Sequence, residues 1–165
     1  MKHLKALLSG LGFVALAGLS LSGCAGVDCP LNNVVTSHWY FYDGEDAVSV
    51  LDSIYVYAKV NGRDSLVVNR LYNASSFDLQ FSYYQPVDTF LLEIRHPGDD
   101  GETQIGIDWI IVDKEDLAHF NSPECGVWHE HNVTSVQSSH VLIDSIQIVR
   151  PKIDTNEEEN FRIFI

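Results

Sequence analysis

The chain begins with one long apolar segment and then changes to short alternating stretches. Residues 6–21 are apolar apart from small and hydroxyl residues, and they follow a short basic start with Lys2 and Lys5. A run of this length is shorter than the roughly 20 residues that a transmembrane helix needs, and it is typical of a secretory signal. We therefore predict that residues 1–23 are a signal peptide that is removed from the mature protein.

After this segment, apolar and polar residues alternate with a period of two. Ile54, Val56 and Ala58, for example, alternate with Tyr55 and Tyr57. Alternation of this kind predicts half-buried strands, and no later stretch keeps the 3.6-residue period of a helix. The predicted strands are residues 35–42, 54–60, 65–69, 77–82, 90–95, 103–112, 126–133, 142–149 and 160–165. In the sixth of them Ile105, Ile107, Trp109 and Ile111 share one face, and residues 116–121 either extend it or form one helical turn.

Eight or nine short strands predict an all-β domain over residues 34–165. A length of 165 residues fits one domain, and the Asn61-Gly62 pair is typical of a tight hairpin turn. We expect an antiparallel β-sandwich, immunoglobulin-like or transthyretin-like, with a closed β-barrel as the alternative.

The apolar run ends in Leu21-Ser22-Gly23-Cys24, which resembles the lipobox of bacterial lipoproteins. The resemblance implies cleavage between Gly23 and Cys24 and a diacylglycerol on the sulfur of Cys24. Two or three acyl chains hold a protein on a membrane, whereas one chain binds marginally. We predict attachment to the membrane through this lipid, with residues 24–33 as a short tether. An ordinary cleaved signal peptide or an uncleaved anchor is the alternative.

Charge narrows the range of partners. The chain has 10 basic and 23 acidic residues, a formal net charge of −13. This is the wrong sign for holding nucleic acid phosphates, so nucleic acid is excluded as an expected partner. Anionic head groups repel so acidic a domain, and we expect the lipid rather than the protein surface to hold it. Ala25, with no acidic run directly after Cys24, resembles lipoproteins sorted to the outer membrane and facing the periplasm.

Three cysteines are present. Once Cys24 is acylated, Cys29 and Cys125 are the remaining thiols, and exported proteins reach a compartment that oxidises cysteines. We predict a disulfide between them. It would close a loop of about 96 residues and stabilise the fold by roughly 4–5 kcal/mol. Two buried free thiols are the alternative.

Several motifs together resemble one family. They are Cys29-Pro30, Ser122-Pro123-Glu124-Cys125-Gly126 and the closing Glu159-Asn160-Phe161-Arg162-Ile163-Phe164. In this order, after a lipobox, they resemble Bacteroidota lipoproteins catalogued only as a domain of unknown function. The resemblance implies a cell-envelope location and strengthens the disulfide prediction, but it carries over no catalytic residue and no ligand.

One pair of histidines has the spacing of metal ligands. His129 and His131 lie two apart on a predicted strand, so their rings project to the same face, and His140 or His119 would supply a third ligand for Zn²⁺. We favour the alternative that these are partly exposed strand histidines without a metal, and we predict no cofactor.

Three serines follow an aspartate and precede an apolar residue: Ser53, Ser65 and Ser145. Each tripeptide resembles the O-glycosylation acceptor of Bacteroidota. The alternative is turn chemistry, because Asp and Ser side chains bond nearby backbone amides where a strand begins.

Aromatic residues offer a further binding surface. Six tyrosines lie on or beside predicted strands and would stack sugar rings if they formed one platform: Tyr40, Tyr42, Tyr55, Tyr57, Tyr83 and Tyr84. The alternative is cross-strand pairing, which stabilises sheets by about 0.2–1 kcal/mol per pair without any ligand.

The motifs of common enzymes are not found in the sequence, so we predict no catalytic residue. We expect a non-catalytic module of the envelope that binds an envelope protein or a glycan. The alternative is a metal-binding or hydrolytic protein that uses His129 and His131.

Overall fold

A computed structural model describes residues 34–98, 101–120, 123 and 125–165 of the chain. These residues contain no helix, and hence none that has the length and hydropathy to cross a bilayer. They form eleven strands: β1 Ser37–Asp43, β2 Asp46–Ala47, β3 Val50–Val60, β4 Arg63–Ala74, β5 Ser76–Leu79, β6 Val87–Pro97, β7 Thr103–Phe120, β8 Val127–Ser138, β9 Ser145–Ile148, β10 Lys152–Ile153 and β11 Phe161–Phe164. The predicted signal peptide and tether, with Gly23, Cys24 and Cys29, lie outside the described residues and stay predictions.

The strands form two sheets that pack face to face. The smaller sheet has the order β2-β1-β11-β9, with β5 also paired to β1, and the larger has the order β10-β8-β7-β6-β3-β4. Strands β1 and β11 pair in parallel, and the other pairs are antiparallel. The predicted β-sandwich is confirmed. The larger sheet curls into half a barrel but does not close.

Aromatic side chains from the smaller sheet fill the space between the layers. Trp39 and Phe161 are fully buried, and their ring centroids lie 3.8 Å apart in a stacked arrangement. The indole N–H of Trp39 donates to the hydroxyl of Ser37 at 2.8 Å, so the one polar atom of that ring is satisfied. Ile54, Val56, Phe90, Leu92, Ile110 and Val112 meet these rings from the larger sheet.

Strand β7 is longer than the predicted strand, and its isoleucine face is exposed rather than packed against the core. It continues through residues 116–120 as a strand, which settles the open choice there. Its isoleucine face points outward: Ile105 is 55% exposed and Ile107 is 39% exposed. Ile110 and Val112 face the core instead. The strand therefore has two apolar faces, and the larger side chains lie on the outer one.

The turn between β8 and β9 is organised by one buried carboxylate. Asp108 is fully buried on β7 and accepts hydrogen bonds from the backbone N–H groups of Val141 at 3.1 Å and Ile143 at 2.9 Å. It also accepts from the N–H of Leu142 and the hydroxyl of Ser139. Burial by itself raises the pKa of Asp108, but these hydrogen bonds outweigh it and leave the pKa below its usual value. Because residues 141–144 form this turn, the strand predicted there starts only at residue 145.

Candidate functional site

The structure brings two of the predicted histidines together and leaves the third apart. His129 and His131 line the same cavity, as their spacing predicts. His140 lies in the turn after β8, with φ at 56° and its Nδ1 3.0 Å from the carbonyl oxygen of Asp144. In the described part of the chain, no group of three or more His, Cys, Asp or Glu side chains is arranged to hold a metal ion. His140 therefore does not join His129 and His131 as a third ligand in this structure, because the turn aims its ring at backbone carbonyls.

His119, the other proposed third ligand, belongs to a different cluster. It lies on β7 opposite Trp128, and the two rings stack with centroids 4.5 Å apart. Its Nε2 is 3.2 Å from Oε2 of Glu130, and that same oxygen lies 2.9 Å from Nζ of Lys152. His119 is therefore part of an ion cluster at the β8–β10 edge.

The cavity beside His129 and His131 has a volume of about 400 Å³, and we call it the aromatic cavity. It is lined by Val34, Val35, Gln80, Phe81, Tyr83, Val127, His129 and His131. The rings of Tyr83 and His129 stack with centroids 4.8 Å apart, and Tyr83 is 49% exposed. Phe81 meets His131 edge-on at 5.7 Å. A pair of stacked rings thus stands beside the opening, with a more buried imidazole behind it.

Behind His131 lies a buried group of charges that the sequence analysis did not identify. Nζ of Lys114 is 2.7 Å from Oδ1 of Asp116 and 3.6 Å from Oδ2 of Asp88. The ammonium also donates to the backbone carbonyls of Ser82 and Gln85. The Lys114 side chain is 0% exposed, so this cation depends on its protein partners rather than on water.

The alternation pattern of β7 does contain information about the burial of Lys114. Lys114 lies two and four residues after Val112 and Ile110, so alternation places it on their buried face. The opposite face of β7 is more strongly apolar, so alternation alone does not predict that the face with Lys114 is the buried one.

Burial sets the protonation of the site. It lowers the pKa of His131, and the nearby Lys114 lowers it further, although a hydrogen bond with the carboxylate of Asp116 works in the other direction. Burial also raises the pKa of Asp88 against hydrogen bonds from Gln85 and other donors. At neutral pH the cavity therefore presents a neutral imidazole above a fixed lysine–carboxylate pair.

This geometry suits holding a planar or ring-shaped group. Tyr83 and His129 offer ring faces for stacking, and His131 is fixed in orientation by Asp116. The arrangement is one of recognition by shape, stacking and hydrogen bonding.

A second, more polar cavity of about 590 Å³ adjoins the first through Val34 and Val35. Nδ1 of His38 lies 2.8 Å from Oδ1 of Asp78 at its wall, and Tyr40 also lines it. The two cavities therefore lie side by side at the end of the sandwich near residue 34.

The six predicted tyrosines do not form one platform. Tyr40 and Tyr42 lie on β1 of the smaller sheet, whereas Tyr55 and Tyr57 lie on β3 of the larger sheet. Tyr83 and Tyr84 lie together in the loop before β6, with ring centroids 4.1 Å apart. The prediction of a single platform is wrong, because the strands that carry the first two pairs belong to different sheets.

The remaining predicted sites are spread over the domain. Ser65 and Ser145 are exposed, whereas Ser53 is half-buried within β3 between two paired strands. Two of the three serines thus lie inside strands rather than at a strand start. Cys125 is 6% exposed, and its predicted partner Cys29 lies outside the described residues.

Comparisons with known proteins find one family. No curated protein and no solved structure matches the chain. A family profile matches residues 53–165, from the middle of β3 to the end of the chain, and it includes the aromatic cavity's Phe81, Tyr83, His129 and His131. The chain therefore belongs to the family of unknown function DUF6452, as the resemblance to a domain catalogued only as unknown function predicts.

Proposed function

We propose that this chain is a lipid-anchored binding protein of the bacterial cell envelope, held at the outer membrane and facing the periplasm. The anchor is supported by the basic start, the apolar run and Leu21-Ser22-Gly23-Cys24. The binding role rests on one observation: Tyr83 and His129 stack at the opening of the aromatic cavity, beside a buried His131. The partner is an envelope protein or glycan that inserts an aromatic side chain or a sugar ring. The role is binding without catalysis.

The binding role is tested by cross-linking from inside the cavity. A photoreactive phenylalanine analogue replaces Tyr83 in cells of the native host, and the same analogue replaces Tyr72 as the matched control. Tyr72 is 72% exposed on edge strand β4 and does not line the aromatic cavity. We expect a defined adduct from position 83 and none from position 72. Identical adducts from both positions, or none from position 83, would contradict the proposal.

The anchor is tested separately by lipid labelling. Cells that express the chain are fed an alkyne-bearing palmitate analogue, and the protein is recovered from membrane and soluble fractions. We expect label and membrane recovery for the native chain, and loss of both for Cys24→Ser. Equal label on the two proteins would refute the anchor. Ala25 supports the outer-membrane destination, which density separation of the two membranes tests.

We also propose that Cys29 and Cys125 form a disulfide in the mature protein. It is supported by the burial of Cys125, which is 6% exposed. Ser65 and Ser145 are better placed than Ser53 as glycosylation acceptors, because an attached sugar needs an exposed side chain. Intact mass of the protein from its native host tests both: two hydrogens fewer than the reduced chain for the disulfide, and added hexose masses for the glycan.

A further inference from the structure

The outer face of the larger sheet carries an apolar row that crosses four strands. Leu66, Tyr57, Leu91 and Trp109 lie directly opposite one another in register on β4, β3, β6 and β7. Ile105, Ile107 and Ile111 on β7 flank this row and are 55%, 39% and 37% exposed. Scattered apolar residues are normal on a surface, but a contiguous set marks a contact region. We call this set of seven residues the outer apolar face.

Cationic side chains lie over the aromatic rings of this region. Nζ of Lys59 is 4.6 Å from the centroid of the Trp109 ring, and Cζ of Arg95 is 4.2 Å from that of Tyr55. Tryptophan and tyrosine are enriched at the level of lipid head groups, where lysine and arginine lay their stems on apolar surface and reach toward phosphates. The composition is that of a membrane interface rather than of a sandwich core.

Basic residues are concentrated in a segment beside the outer apolar face. The chain has a net charge of −13, yet residues 59–72 hold three basic residues and one acidic residue. Lys59, Arg63 and Arg70 in this segment form no ion pair within the described part of the chain. The other described lysines and arginines each pair with a carboxylate: Arg95, Lys114, Arg150, Lys152 and Arg162. The cations without a carboxylate partner in the described part of the chain therefore lie on the β3–β4 hairpin. Lys59 shares the face of Tyr57, whereas Arg63 lies on the opposite face of β4 from Leu66.

We propose that the outer apolar face lies against the bilayer to which the N-terminal lipid attaches the domain. This inference rests on the proposed anchor. The described chain starts at Val34, and ten residues from Cys24 span at most about 35 Å. A tether this short keeps the face at a high effective concentration near the lipid surface, so a weak contact is enough. The net charge predicts repulsion from anionic lipids, and on the outer face Lys59 lies opposite Asp64, so the short tether rather than local charge supports the contact.

The test uses tryptophan fluorescence of the complete lipidated protein in vesicles. The protein is reconstituted into phosphatidylcholine vesicles that contain about 30% phosphatidylglycerol, which supplies the anionic lipid. Vesicles with and without brominated lipid are compared, because the brominated lipid quenches tryptophan fluorescence. Trp39 is fully buried and serves as an internal reference. We expect quenching that Trp109→Phe removes and Trp128→Phe retains. Trp128 pairs with His119, ten residues or about 33 Å along β7 from Trp109, so contact at Trp109 does not reach it.

Charge variants test which face of the domain contacts the bilayer. Lys59→Gln should lower the docked-to-undocked ratio about fivefold, because one charge on the face of Tyr57 is removed. Lys152→Gln changes the net charge equally but lies on β10, and should leave the quenching unchanged.

The outcomes separate this inference from the proposed anchor. If the protein fails to float with the vesicles, the anchor is refuted. The docked face is then refuted as well, because it depends on the anchor. Protein that floats while Trp109 escapes the quencher refutes the docked face alone. Quenching that disappears as the protein density rises would assign the face to a second copy of the chain. Quenching that an acidic polysaccharide abolishes at fixed lipid would assign it to a glycan. Either result would overturn the inference.

Discussion

Lys114→Met tests whether the buried charge group is held together by its one cation. The Lys114 side chain is 0% exposed, and its ammonium contacts Asp88, Asp116 and two backbone carbonyls. Methionine keeps most of the apolar stem, so the substitution removes the charge and its hydrogen bonds while leaving little empty volume. The buried carboxylate of Asp88 and the half-buried carboxylate of Asp116 then lose their counter-ion.

The expected loss at pH 7 is about 3–5 kcal/mol of unfolding free energy, the range for removing one partner of a buried ion pair. This loss should shrink as the pH falls from 7 toward 4. Burial already raises the folded-state pKa of Asp88, and without the opposing charge of Lys114 it rises further; the pKa of His131, which Lys114 lowers, rises as well. A raised folded pKa adds stability at low pH that is lost as pH rises through it, so protonation restores the variant in acid.

Urea denaturation at pH 7 and pH 4.5 measures both effects, with the slope of free energy against urea as a check on two-state behaviour. Lys152→Met is the matched control. Lys152 also pairs with two carboxylates, but its side chain is 50% exposed and water screens the pair, so its removal should cost much less than that of Lys114. Equal losses for the two variants, or a Lys114→Met loss that does not change with pH, would refute the reasoning.

Other substitutions and titrations test separate features. Asp108→Asn should lose about 2 kcal/mol at pH 7 by weakening four hydrogen bonds to a charged acceptor. Because the pKa of Asp108 is lowered by folding, that difference should shrink as pH falls below the unfolded value of about 3.9, as urea melts at pH 7 and pH 3 would show. The His131 ring should titrate below 6.5 in NMR spectra, since its burial lowers its pKa; a midpoint above 6.5 would contradict the buried site. Cys125→Ser should lower the free energy of unfolding by about 4 kcal/mol if the disulfide forms, and no loss relative to the unreduced native protein would refute it.

Much of the fold could be predicted from alternation alone. The period of two gave most of the strand positions and the sandwich, because half-buried strands require it. Two features of the fold could not be predicted from the sequence. Strands β2 and β10 have two residues each, too few for any period. The parallel pairing of β1 with β11 joins Trp39 to Phe161, far apart in the chain, and depends on how the two ends meet in space.

The candidate site was only half predictable, for a reason specific to β8. His129 and His131 share a face by spacing, and the structure keeps them together. The register between β7 and β8 shifts between Asp113 and Lys114, and this bulge changes which residues of β8 face inward further along the strand. Tyr83 comes from the loop before β6, where no period applies. The ring pair that defines the aromatic cavity therefore exists only once the sheets have packed.

The burial of Lys114 and the exposure of the isoleucines have a single cause. Side chains of a strand alternate, so any rotation of β7 that turned Ile107 inward would turn Lys114 outward. Hydrophobic burial alone would favour that rotation, because the outward face holds three isoleucines and Trp109. The observed choice instead buries Asp108 and Lys114, each with several hydrogen-bond partners. A strand that keeps its larger apolar residues outside presents them to a contact beyond the domain, and we propose that the bilayer provides this contact.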